Sequence, residues 1–220
     1  MGCDMSLNAG YPITLDIRGR LCVVIGGDDE AASRTTSLLD AEGKVIVVNP
    51  TLNPSLKKLT ASGKIIHRGR HFRATDTQGV FVVCNTLRDD SDLSRSLFEL
   101  AKTEGFLVWS SDQPSFSNFM MPAVVSRGPF RLAISTSGAS PALASRLRQQ
   151  GEELFDEEFG QFLEWLAHLR EELQSSEPME SKRKERLLEA IDGFQFRGSI
   201  TYPQAWVSQH TSTSERMFNR

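Results

Sequence analysis

The sequence predicts an α/β fold, in which a parallel β-sheet carries α-helices on both of its faces. Short apolar runs alternate with segments of helical periodicity along the first half of the chain. An uninterrupted apolar run that ends at glycine or at Asn-Pro is typical of a strand buried on both faces. Because strands and helices alternate, we expect one parallel sheet with the strand order 3-2-1-4-5.

The elements of this sheet are predicted from their boundaries. Strands are expected at residues 21–25, 44–48, 65–67, 80–84 and 106–109. Helices are expected at residues 31–41, 54–62 and 91–104, where leucines recur at helical spacing and a glycine follows. The segment YPITLDIRGR alternates apolar and polar residues, which predicts a short edge segment before the first strand.

The turn after the first strand has the spacing of a dinucleotide-binding fingerprint in which one glycine is replaced. It reads G-x-D-x-x-A, where the fingerprint is G-x-G-x-x-G/A. Gly26 and Gly27 can form the tight turn, and Ala31 is small enough for close helix–strand packing. Asp28 replaces the middle glycine. Either Asp28 only caps the helix, which contributes ~1 kcal/mol to its stability, or the loop shifts and a nucleotide still binds. Without such a shift, a phosphate ~4 Å from the carboxylate would be repelled by ~4 kcal/mol at an effective dielectric of about 20.

Ligands of such sheets bind beyond the carboxyl ends of the strands, next to the point where the strand order reverses. Gly26–Asp28, Asn85, Thr86 and residues 110–112 are expected there. Asn49 closes the second strand, where a nicotinamide enzyme often has an acid that binds the ribose. Its side chain could bind the ribose or could form the turn before Pro50.

The pattern changes after Asp112. Residues 123–127 and 130–135 predict two strands joined at Gly128-Pro129, and Ser140-Pro141 begins a helix. This region is too small for a core of its own, so we expect it to pack against a copy of itself in a homodimer. From Glu152 the chain is helical and acidic, with a break at Glu177-Pro178 and a further helix at 182–192. The predicted domains are a Rossmann-like domain at 1–112, a small α+β dimerisation domain at 113–150 and a helical region at 151–220.

Composition excludes several classes of protein. The net charge of −3 gives no general attraction to nucleic acid or to anionic membranes. No apolar run approaches the ~20 residues of a membrane span. Cys22 and Cys84 lie within apolar runs and predict buried thiols. This cysteine usage fits a protein of the reducing cytoplasm and argues against a disulfide scaffold or a zinc site.

Several segments together resemble the precorrin-2 dehydrogenase / sirohydrochlorin ferrochelatase family, the early module of siroheme synthase. They are YPITLDIRGR, LCVVIGG, VIVVNP, VFVVCNT, SSDQPSFSNFMMPAVVSRGP and LAISTSGASPALASRLR. The resemblance implies NAD as the cofactor and oxidation of precorrin-2 to sirohydrochlorin as the reaction. Some members also insert ferrous iron, which gives siroheme. The family has G-G-G where this chain has Gly-Gly-Asp, so the alternative is a tetrapyrrole-binding or chelatase-only protein whose NAD binding Asp28 impairs.

The resemblance places the family's catalytic aspartate at Asp112, where the fifth strand ends. A carboxylate in that position faces the cleft, and we expect burial to make it an effective base. The alternative is an Asx turn or helix cap before Pro114. No metal-ligand set is predicted: His67 and His71 flank two arginines at what we interpret as a solvated strand end.

A tetrapyrrole carries many carboxylates, so its binding site needs cations and hydrogen-bond donors. The expected cations are Arg127, Arg131 and Arg146, since arginine pairs with carboxylates in a bidentate manner. The expected donors are Ser135, Thr136, Ser137 and Ser140. The alternatives are surface or dimer contacts for the arginines, and turn and cap formation for the hydroxyl residues.

Overall fold

The computed structural model describes residues 10–204, and the predictions for residues 1–9 and 205–220 lie outside them. The strands are β1 Leu21–Ile25, β2 Lys44–Val48, β3 Ile65–Arg68, β4 Val82–Asn85, β5 Leu107–Ser110, β6 Ala123–Arg127 and β7 Phe130–Ile134. The helices are α1 Asp29–Asp40, α2 Pro54–Ala61, α3 Ser91–Glu104, α4 Pro141–Leu154, α5 Glu157–Ser176 and α6 Glu180–Glu189.

The predicted sheet is confirmed. Five strands form one sheet in the order β3-β2-β1-β4-β5, and every pair in it is parallel. The register places Ile25 beside Val48 and beside Asn85, and Asn85 beside Ser110. The carboxyl ends of four strands therefore lie level at one edge, and the loops that follow them are neighbours.

Side chains of the central strands alternate between two apolar clusters, one on each face of the sheet. Cys22, Val24 and Val47 belong to the cluster that includes Leu56 of α2. Val23 and Ile25 belong to the opposite cluster with Leu97 of α3 and Phe106. Both faces of β1 are thus covered, as its continuous apolar sequence predicts.

The two thiols predicted to be buried are confirmed as buried and free. Burial raises the pKa of Cys22 to about 11 and that of Cys84 to about 12, because a thiolate is poorly solvated inside the protein.

The structure corrects three boundaries. Residues 10–20 form no strand; they reach β1 through a turn in which the Gly19 N–H donates to the Glu42 carbonyl. β4 begins at Val82, not at residue 80. The helical segment from Glu152 is interrupted: α4 ends at Leu154, and the carboxylate of Asp156 accepts the Phe159 N–H at 3.0 Å to cap α5.

By its contacts the chain divides into two compact units, where the sequence predicts three domains. One unit holds the described residues up to Val125 together with Arg131–Glu153; the other holds Ser126–Phe130 and the described residues from Leu154. In the first unit, Gly151 of α4 lies so close to Val125 that an added Cβ would be 2.8 Å from Val125 Cγ2. The second unit is centred on the rings of Phe130, Phe155 and Phe159, whose centroids are 4.6 to 5.0 Å apart.

Candidate functional site

The turn between β1 and α1 begins the candidate site. Gly26 has a φ of +133°, which a residue with a side chain rarely adopts, and a Cβ there would lie 2.0 Å from Thr86 Oγ1. A Cβ on Gly27 would lie 2.0 Å from the Thr51 carbonyl oxygen. Both glycines are therefore required by the close approach of the loops after β4 and β2.

Asp28 is the N-cap of α1. Its Oδ1 accepts the backbone N–H of Ala31 at 2.9 Å and lies 3.4 Å from Thr86 Oγ1, which also donates to the Ile25 carbonyl at 3.2 Å. The capping role predicted as one of two alternatives is thus observed. The carboxylate occupies the position where a helix N-terminus would otherwise attract an anion.

The backbone of this turn nevertheless suits a nucleotide. The first N–H groups of a helix, here those of Asp29 and Glu30, have no partner within it. Because α1 follows β1, these groups lie next to the carboxyl end of that strand, the edge of the sheet where dinucleotides bind in this kind of fold. The backbone therefore fits a pyrophosphate, while the charge of Asp28 opposes one.

The other predicted cofactor residues lie around the same edge. The Asn49 amide donates to the Thr51 carbonyl at 2.7 Å, which is the turn-forming role. Asn85 is fully buried; its amide donates to Ser94 Oγ at 2.9 Å and its oxygen accepts the Leu87 N–H at 3.1 Å. The Asn85 side chain thus shapes the loop after β4 from inside the protein.

A cavity of about 420 Å³ is lined by residues of the loop after β2, of α2 and of β3. Pro50, Leu52 and Ala61 form apolar walls, and Lys57 and His67 add basic groups. Its volume is within the range of small-molecule sites.

Asp112 follows β5 in a left-handed conformation, with a φ of +57°. Aspartate tolerates this region better than most residues. Its side chain is 70% exposed, and Oδ2 lies 3.3 Å from an Arg88 guanidinium nitrogen. The predicted burial of Asp112 is therefore wrong, because the residue lies past the strand end on the solvent side of the edge.

An ion-pair network that the sequence did not predict joins Asp112 to the start of α1. Glu30 Oε2 accepts from Arg88 at 2.8 and 3.2 Å and from Ser111 Oγ at 2.9 Å. Burial opposes the ionisation of Glu30, but the hydrogen bonds from Arg88, Ser111 and Arg34 outweigh it and lower the pKa. The acidic run at 28–30 and the arginine after β4 are both visible in the sequence, but nothing in the sequence pairs them.

Comparison with known proteins identifies the family. Residues 13–123, just over half of the chain, match the family model described as putative NAD(P)-binding, and residues 127–150 match the central region of a sirohaem biosynthesis protein. The siroheme synthase of Nitrosococcus oceani is 34% identical over 163 residues, which cover 74% of this chain. That of Methylobacillus flagellatus is 36% identical over 162 residues, or 73% of this chain. The chain belongs to the family of the siroheme synthase N-terminal module.

A solved structure supports the same family. The protein described as SirC, precorrin-2 dehydrogenase, has a TM-score of 0.70 and 27% identity, and the match covers 92% of this chain and all of that one. The chain spans about a third of the length of the siroheme synthases it matches, 35% and 34% for the two above.

The hydroxyl residues predicted to bind substrate form a local turn before α4. Ser135 Oγ accepts the Ser137 N–H at 3.2 Å, Thr136 Oγ1 accepts the Ser140 N–H at 3.1 Å, and Ser140 Oγ accepts the Leu143 N–H at 3.2 Å. Turn and cap formation is thus observed. These bonds use oxygen lone pairs, so each hydroxyl proton can still be donated to a carboxylate.

The arginines predicted to bind substrate carboxylates lie on three different elements. Arg131 is exposed on β7 and Arg146 is exposed on α4, both in the first unit. Arg127 ends β6 in the second unit and donates to the Ser126 carbonyl at 3.0 Å. Their contact with a tetrapyrrole stays a prediction.

Arg68 and Arg70, predicted to be part of a solvated strand end, instead pair with a buried acid. Both donate to Asp76, whose side chain is inaccessible to solvent, and Arg70 does so with two bonds of 2.7 Å. The hydrogen bonds from Arg70, together with those from the Arg73 N–H and Arg68, outweigh burial and lower the pKa of Asp76 to about 2. The predicted solvated end is therefore wrong for these two arginines.

Within residues 10–204, no three histidine, cysteine or acidic side chains are grouped as a metal site. No helix within the described residues is long and apolar enough to cross a bilayer.

Proposed function

We propose that this chain oxidises precorrin-2 to sirohydrochlorin with NAD as the electron acceptor. The observation that carries the proposal is the position of Asp112, which lies at the same sheet edge as the glycine turn and is joined to α1 through Arg88 and Glu30. The family and the likeness to a precorrin-2 dehydrogenase over 92% of the chain support it.

In the proposed reaction the macrocycle loses two electrons with one hydrogen as a hydride, and a second hydrogen as a proton. A bound nicotinamide would supply the hydride acceptor. The carboxylate of Asp112, exposed at the edge, would take the proton from the substrate. The N–H groups at the start of α1 and the turn at Gly26 and Gly27 would hold the cofactor's pyrophosphate.

NAD in preference to NADP follows from the resemblance. The amide of Asn49 is neutral and donates to Thr51, so it offers no charge to a 2′-phosphate. The test is to incubate the protein with precorrin-2 and either NAD or NADP and to record absorbance of the reduced nicotinamide. We expect NADH from the first mixture and at least ten-fold slower reduction of NADP. A lack of NADH at high enzyme concentration would contradict the proposal.

A second candidate function is favoured by Asp28. Because its carboxylate already caps α1, a nucleotide pyrophosphate would meet a negative charge there. The protein would then bind a tetrapyrrole, or insert ferrous iron into it, without oxidising the macrocycle. Titration with NAD separates the two candidates, because a dissociation constant in the micromolar range excludes this one.

A homodimer is also part of the proposal. Leu143 and Leu147, one turn apart on α4, are 50% and 40% exposed, and Val124 of β6 is 38% exposed. Apolar side chains in such positions suit a second copy of the same surface. Analytical ultracentrifugation should give a dimer mass, and Leu143→Glu with Leu147→Glu should give a monomer. Leu188→Glu, at a leucine of α6 that is 56% exposed, is the control, and a monomeric wild-type protein would contradict the dimer.

A further inference from the structure

Arg88 contacts two carboxylates that differ in their exposure to solvent. Its Nε and one terminal nitrogen donate to Glu30 Oε2 at 3.2 and 2.8 Å, and its other terminal nitrogen lies 3.3 Å from Asp112 Oδ2. The Glu30 side chain is 16% exposed, whereas that of Asp112 is 70% exposed. The guanidinium is thus hydrogen-bonded to Glu30 on one side and faces the exposed carboxylate of Asp112 on the other.

The fixed end is well anchored. Glu30 also accepts from Ser111 Oγ at 2.9 Å and from Arg34 at 3.3 Å. Arg34 in turn lies over the Trp109 ring of β5, 4.6 Å from its centroid. Glu30 is therefore connected to the sheet from two directions.

Both chain neighbours of Asp112 are tied to the same ion pair. Ser111 donates to Glu30, and the Gln113 side-chain amide donates to the Arg88 carbonyl at 2.7 Å. Asp112 itself faces the Arg88 guanidinium. Three consecutive residues after β5 are thus oriented by one arginine and its partner acid.

We propose that Arg88 is a positioning residue for Asp112, which it holds in one rotamer through its ion pair with Glu30. The inference rests on the proposed function, in which Asp112 accepts a proton from the tetrapyrrole. An exposed aspartate would otherwise sample several rotamers, and small misplacements of a reacting group can reduce turnover by ~10²-fold. The role fits arginine, since its planar fork can hold two carboxylates in fixed directions.

The test compares Arg88→Gln and Arg88→Lys with the control Lys102→Gln, which removes an exposed cation of α3 paired with Glu99. Three-bond couplings of labelled protein report the χ1 angle of Asp112 without any need for activity. We expect one dominant rotamer in the wild type and in Lys102→Gln, and averaged couplings in Arg88→Gln. Averaged couplings in the wild type would overturn the inference.

Turnover gives the second measurement. We expect Arg88→Gln to lower kcat about ten-fold or more, with the KM for precorrin-2 and the affinity for NAD within two-fold of the wild type. Arg88→Lys should recover part of kcat, because it restores the charge but not the fork. An active wild type with an equally active Arg88→Gln would also overturn the inference. If the wild type forms no NADH, the proposed function fails, and the couplings still decide whether Arg88 orients Asp112.

Discussion

The carboxylate of Asp28 accepts the backbone N–H of Ala31 at 2.9 Å, so the first helix of the sheet carries its own anion at its N-terminus. In the dinucleotide fingerprint a glycine stands at this position, and the anion there is a phosphate. The charge of this one side chain therefore opposes the binding of a pyrophosphate at the turn.

Asp28→Gly should tighten NAD binding. A phosphate at ~4 Å would be repelled by ~4 kcal/mol at an effective dielectric of about 20, which corresponds to up to ~10³-fold in affinity. Loss of the cap to glycine should destabilise the helix by only a few tenths of a kcal/mol. Isothermal titration with NAD measures the change, and Asp29→Asn, which removes a neighbouring charge but keeps an oxygen for the Asn53 amide, is the control. Unchanged affinity in Asp28→Gly would show that the charge argument is wrong.

Asp112→Asn should lower turnover by ~10²-fold or more, because the amide cannot accept the proton. NAD affinity and melting temperature should stay close to the wild-type values, since asparagine also tolerates the left-handed backbone. Asp112→Ala should lose as much activity and also ~1 kcal/mol of stability, because alanine is strained at this φ. Turnover and thermal melts of both variants show whether Asp112 acts as a base. A fully active Asp112→Asn variant would mean that it does not.

The ion pair between Arg70 and the buried carboxylate of Asp76 predicts a loss of stability in acid. The pKa of Asp76 is about 2 in the folded chain, below its ordinary value near 4. The stability that the ionised Asp76 carboxylate contributes is therefore complete above about pH 5, and it is lost as the pH falls through 2. The free energy of unfolding should drop by about 2 to 3 kcal/mol across that range from this group. Urea titrations at several pH values measure it, and Asp76→Asn should show a correspondingly flatter dependence.

Gly151→Ala should destabilise the first unit, although alanine favours a helix by ~1 kcal/mol. The new methyl would lie 2.8 Å from Val125 Cγ2, and overpacking of this kind costs typically 1–3 kcal/mol. In the background of Val125→Ala the same change should become neutral or stabilising, because the space is then open. Urea unfolding of the four proteins gives the coupling energy. A stabilised single variant would mean that the helix and the strand can separate easily.

The strands and their order followed from the sequence because local apolar runs are enough to define buried parallel strands. Glycine and asparagine-proline boundaries then located their ends to within two or three residues. The cap at Asp28 was also predictable from the sequence, because a helix cap joins residues only three positions apart. The pairing of Glu30 with Arg88 was not, because 58 positions separate the two and no local pattern connects them.

The exposure of Asp112 could not be predicted for a related reason. Position relative to a strand end can be read from the chain, but burial depends on which loops cover that end. The break between α4 and α5 was missed because apolar residues continue across it at helical spacing, from Leu154 through Phe159. Periodicity alone does not distinguish one curved helix from two capped ones.

The hydrogen bond from the Asn53 N–H to the Gly27 carbonyl, at 2.8 Å, has a mechanical consequence for the glycine turn. The Asn53 amide also donates to Asp29 at 2.8 Å, and the oxygen of the same side chain caps α2 at the Leu56 N–H. The turn and the start of α2 are thereby linked as one stiff body, and backbone movement in either would displace the other. Room for a bound anion must then come from rotation of the Asp28 side chain about its own bonds, with the main chain unmoved.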